Sequence, residues 1–165
     1  MTDVIDAVAG IAEGSPLAAL RAQKPDLVRY TQGSHDVLLA PGDPGGVGLA
    51  ERALIALRVA VLDEHAELAA HYRARLHAVG GDAALAAAAQ RGASAAPSVR
   101  VAEILDHVDR LTAAPASAMP AHLETLQAAG LTPRDIVTIS QLIAFVSYQV
   151  RVLVGLRLLA EEVRP

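Results

Sequence analysis

Residues 131–159 read LTPRDIVTISQLIAFVSYQVRVLVGLRLL, and three helix-start signals act together at their beginning. Thr132 stands where an N-cap hydroxyl can accept from a free backbone N–H, and Pro133 occupies the first helical position. Asp135 places a negative charge in the first turn, where the helix dipole favours it. The uncharged apolar segment that follows, Ile136 to Val150, spans 15 residues between Asp135 and Arg151. That is short of the roughly 20 residues a bilayer demands, so it reads as a buried core helix and no membrane association is expected.

Working outward, the rest of the chain also punctuates as helices. Residues 3–13 form a short helix ended by Gly14-Ser15-Pro16, a second helix follows as LAALRAQ, and Pro25 starts a third as DLVRYTQGS. From His35 to Val47 the crowding of Pro41, Gly42, Pro44, Gly45 and Gly46 reads as a linker or wrapping loop. Apolar residues then recur at helical spacing from Gly48 to Val79, with Asp63-Glu64 a break between two helices. Gly80-Gly81 closes the second, Asp82 caps an Ala-rich helix, Ser98 caps VRVAEILDHVDRLTAA, and AHLETLQAAG stops at Gly130. No strand candidate survives. The expectation is one compact all-α domain: residues 1–47 an extension and linker, residues 48–165 the core module.

An internal echo lies inside that module. At an offset of 82, Leu49, Arg52, Arg75 and Leu76 match Leu131, Arg134, Arg157 and Leu158, with conservative apolar matches between. Two copies of a long-helix unit packed about a pseudo-twofold would leave this trace; two unrelated apolar helices can also produce it.

Composition narrows the function classes. Hydrophobic residues make up 53% of the 165, yet Phe145, Tyr30, Tyr72 and Tyr148 are the only Phe, Tyr or Trp residues, so Ala, Leu and Val must fill the interior of a closely packed bundle. Fourteen Lys and Arg against 18 Asp and Glu, with no basic stripe, argue against a nucleic-acid partner. The acidic N-terminus argues against a secretory signal. With no cysteine anywhere there is no disulfide, thiolate nucleophile or Cys-based metal site, and a cytoplasmic location is expected.

The segments Leu49–Leu76 and Leu131–Leu159, with the helix start Leu-x-x-Arg-x-Ile-Val at 131–137 and the polar set Gln141, Ser147, Tyr148, Gln149 and Arg151 inside an apolar helix, resemble the two halves of the carboxymuconolactone decarboxylase and alkylhydroperoxidase-like family. The opening GIAEGSPLAALRAQKPD and the segment DIVTISQLIAFVSYQVRVLVGLR further resemble its cysteine-free, peroxidase-related branch. The resemblance implies a helical bundle with a duplicated long-helix unit, a carboxymuconolactone decarboxylase-like domain over 48–165, and homo-oligomers. Redox-active relatives use a Glu, a Cys-x-x-Cys pair and a following His as a proton relay. At those four places this chain carries Ala53, His65, Leu68 and Tyr72. Neither His nor Leu can ionise to a thiolate or close a disulfide, so thiol peroxidase activity is expected to be absent.

What remains is HAELAAHY. Glu67 and His71 stand four apart and share a helix face, where the carboxylate can orient the imidazole as an acid/base unit; an exposed pair on a solvated face is the bland alternative. Arg151 must reach water, a carboxylate or an anion, and Tyr148 one turn earlier lines the same side. His65 and His71 point apart and leave too few ligands for a metal, and no cofactor is indicated. His35, His77, His107 and His122 carry no partner pattern. Two functions follow. One is acid/base chemistry by His71, Glu67, Tyr148 and Arg151 on a small carboxylated or lactone-like substrate. The other is a catalytically silent oligomer, or a partner of a cysteine-bearing paralogue.

Overall fold

The computed structural model describes residues 3–162, and within them every regular element is helical. Nine α-helices follow one another: α1 Val4–Ala9, α2 Pro16–Ala22, α3 Pro25–Leu39, α4 Leu49–Leu62, α5 Ala66–Ala78, α6 Ala83–Arg91, α7 Val99–Ala113, α8 Pro120–Ala128 and α9 Pro133–Glu162. Single 3-10 turns at Ala93–Ala95 and Pro115–Ser117 precede α7 and α8.

The centre is α4, where every residue from Arg52 to Ala60 is buried. Its sequence, RALIALRVA, is mostly small and aliphatic, so α5, α6, α7 and α9 can all pack against it. α9 crosses α4 and α7 and is covered on other sides by α1, α2 and α3. By length and composition it could cross a membrane, with a mean hydropathy of 1.7 over an 18-residue window of which 39% is buried here. In this fold it is the long wall of the bundle, with Ile139, Leu142 and Val146 fully buried.

Capping follows the chain's punctuation. Ser15, Asp82 and Ser98 accept from the N–H groups of Ala18, Leu85 and Val101. At α9 the exchange is reciprocal: Asp135 Oδ2 accepts from the Thr132 N–H at 3.0 Å, and Thr132 Oγ1 accepts from the Asp135 N–H at 3.2 Å. The break expected at Asp63-Glu64 is present, with Glu64 at φ 53°, a left-handed conformation uncommon outside glycine.

Two boundaries differ. The first helix, expected over residues 3–13, ends at Ala9, where Gly10 takes the left-handed conformation that closes it. Residues 35–39, expected to begin the linker, are the last turns of α3, so the loop is confined to 40–48. His35 and Leu39 are buried one turn apart, and Arg75 Nη2 donates to the Leu39 carbonyl at 2.7 Å. Tertiary contact extends the helix up to the Pro41 stop. The loop is then pinned by the buried Arg52, whose guanidinium donates to the carbonyls of Val47, Leu38 and Pro44 at 2.7–2.9 Å.

Candidate functional site

α5 starts directly after the Glu64 turn, and His65 caps it: Nδ1 accepts from the Leu68 N–H at 3.3 Å. Ala53, Leu68 and Tyr72 are packing groups, each fully buried. The Tyr72 hydroxyl donates to Gln149 Oε1 at 2.5 Å, joining α5 to α9 inside the core. Burial pushes the phenol above its ordinary pKa, so it stays a donor.

The neighbouring face of α5 is polar. His71 lies edge-on to Tyr72 with ring centroids 5.1 Å apart, and 6.3 Å from the ring of His35 on α3. Nε2 of His71, Nε2 of His35 and Nε2 of Gln149 are buried without a hydrogen-bond partner among the described residues. Both histidines have pKa values below the ordinary one. Burial is the main cause in each, helped by the Arg75 charge and, at His71, by His35; at His35 the hydrogen bond to Asp36 opposes it. The imidazoles are therefore neutral at pH 7. Four residues before His35 on α3, Thr31 Oγ1 lies 3.0 Å from the Tyr148 hydroxyl.

The four candidate residues are thus distributed. His71 faces inward against His35, and Tyr148 meets Thr31 one turn further along the same helix. The carboxylate of Glu67, 64% exposed, lies 3.4 Å from His65 Nδ1, so the pairing expected with His71 is directed to His65 instead. While Nδ1 accepts from Leu68 it carries no proton, and the Glu67 contact is then proximity without a hydrogen bond. Arg151 is exposed and donates to the Ser147 carbonyl at 3.2 Å, reaching water as one of its expected alternatives. His35, given no role by its sequence context, is brought to His71 by the extension of α3. No group of three His, Asp or Glu able to hold a metal occurs among the described residues.

Two hollows flank these residues. An open groove of about 610 Å³ runs between α3 and α9 along Tyr30, Gly33, Val37, Gln141 and Phe145, and no charged side chain lines it. A smaller cavity of about 210 Å³ lies where α1 and α2 meet the start of α5 and the last turns of α9.

No family model and no curated protein matches the chain. Solved structures do. An uncharacterized peroxidase-related protein from Silicibacter sp. TM1040 superposes with a TM-score of 0.74 at 22% identity, covering 86% of this chain and 73% of that one. An alkylhydroperoxidase AhpD core protein from Ralstonia eutropha JMP134, also an uncharacterized peroxidase-related protein, gives 0.71 at 23% identity, covering 90% and 78%. At such identities the likeness concerns architecture. The chain has the alkylhydroperoxidase-like all-helical fold, built on a sequence that contains no cysteine.

Proposed function

We propose that this chain is a self-assembling helical protein of alkylhydroperoxidase-like fold without thiol peroxidase chemistry, a silent relative working as a homo-oligomer. The observation that carries the reading is the groove between α3 and α9, whose lining holds no charged side chain. Val37 is 69% exposed and Tyr30 62%, and both border a groove floored at Gly33. Protruding apolar groups beside a hollow on one face are what a self-complementary, twofold interface needs. A cysteine-bearing paralogue of the same fold could dock on the same face. Such a protein needs no oxidising compartment, which fits a cytoplasmic setting without a membrane or nucleic-acid partner.

Sedimentation velocity at micromolar concentration tests it: the chain sediments as a dimer or larger, and Val37→Asp shifts it to monomer with unchanged helix content. A wild-type monomer at these concentrations contradicts the reading.

A second reading rests on His71. Its unpartnered Nε2 and neutral state are those of a resting general base, suited to acid/base chemistry on a small carboxylated or lactone-like substrate as in the decarboxylase branch. Glu67 and Arg151 stand in water and would have to move to share that substrate.

A further inference from the structure

From the smaller cavity we infer a binding site for a short aliphatic monocarboxylate, with the tail inside and the carboxylate at the rim on Arg157. The site rests on neither self-association nor His71.

The interior of the cavity is hydrocarbon. Leu153 and Leu156 of α9, 3% and 8% exposed, form its floor, and Val8 and Leu17 from the N-terminal extension close the sides. At about 210 Å³ it is smaller than the roughly 300–1,000 Å³ that holds drug-sized molecules, so it selects a small tail. The buried leucines face an unfilled space, and apolar carbon placed there leaves water.

Three polar side chains line the cavity and decide the headgroup: the exposed Arg157 and Glu67 at its rim, and the largely buried His65. Arg157 is exposed and forms no ion pair among the described residues. His65 uses Nδ1 as acceptor for the Leu68 N–H, which leaves the proton of the neutral ring on Nε2 as a spare donor. Both groups favour an anion, and the amino end of α5 behind His65 adds to that field. Glu67 opposes it, but its side chain is 64% exposed and its charge is screened by water. A carboxylate therefore suits this rim better than an ammonium, and a neutral alcohol would forgo the guanidinium.

The experiment is isothermal titration calorimetry of the full-length chain with octanoate, octanol and octylamine. Octanoate is expected to bind saturably at one site per chain and more tightly than either of the others. Arg157→Gln should weaken octanoate roughly two- to fivefold, the worth of an exposed ion pair, while leaving octanol unchanged. Glu67→Gln should tighten octanoate. Ala9→Trp, which places an indole from the exposed face of α1 over the cavity, should abolish binding of octanoate and octanol alike while the helical circular dichroism is retained. Absence of octanoate binding, preference for octylamine, equal affinity for octanol, or indifference to Arg157→Gln or to Ala9→Trp would each overturn the assignment.

Discussion

Tyr72 on α5 and Gln149 on α9 are joined by a hydrogen bond of 2.5 Å between two side chains with no exposed surface. The phenol ties two helices together inside the core. Gln149 accepts through Oε1 while its Nε2 lacks a partner among the described residues. Tyr72→Phe should therefore cost about 1–3 kcal/mol, because the amide loses its one observed bond and stays buried. Tyr72→Phe combined with Gln149→Met should recover part of that loss, since both polar partners are then gone. Urea unfolding of the single and double variants checks it, and a double variant less stable than Tyr72→Phe would show that the pair is not the source of the cost.

Acid should weaken the fold once the pH falls through the ordinary range of a histidine. His35, His71 and His107 all have folded-state pKa values below 6.5, with burial as the leading cause. As pH falls through 6.5 the unfolded chain takes up protons first, so stability is full above that value and is lost toward the folded-state pKa values. Asp36 and Asp135, both held below the ordinary 3.8, contribute their loss only at lower pH. The urea midpoint is expected to be lower at pH 5.5 than at pH 7.5, with a flatter dependence in His35→Asn and His71→Asn. A midpoint constant across this range in the wild-type chain contradicts the account of neutral buried imidazoles.

The loop before α4 and the start of α9 are fitted to one another at Gly46. A Cβ built there would overlap the Asp135 carboxylate. Burial alone would raise the Asp135 pKa, but hydrogen bonds from Thr132 and from the Gly46 backbone, with the nearby Arg100 charge, hold it below the ordinary value. Arg100 also donates to the Gly46 carbonyl at 2.6 Å and to Glu51 at 2.7 Å. Gly46→Ala should cost about 1–3 kcal/mol by displacing the carboxylate from its donors. Gly48→Ala, where a Cβ meets nothing within 4 Å, is the control and should be close to neutral by thermal unfolding.

Much of this architecture is legible in local chemistry, because capping is decided within a few residues. Ser15-Pro16, Asp82, Ser98 and Thr132-Pro133 each announce a helix start, and each forms one. The last turns of α3 are illegible for the opposite reason: His35 and Leu39 are ordered by α5, through Arg75, across 36 residues of chain. The partners of Arg52 are backbone carbonyls, Leu38 in the last turn of α3 and Pro44 and Val47 in the loop, which no side-chain pattern encodes. The candidate site is legible as residue types but not as partners. Helical spacing allows Glu67 to meet His71, yet His65 at the cap lies nearer, and His71 turns to a histidine on another helix.

The central claim is that an alkylhydroperoxidase-like fold is built here without thiol chemistry: the sequence holds no cysteine, Leu68 and Tyr72 fill the core, and His65 caps a helix. The most direct measurement is consumption of an organic hydroperoxide by the purified chain with a dithiol reductant. The account predicts a rate no greater than that of buffer with reductant alone, unchanged in His65→Ala. Saturable consumption proportional to protein concentration would contradict it.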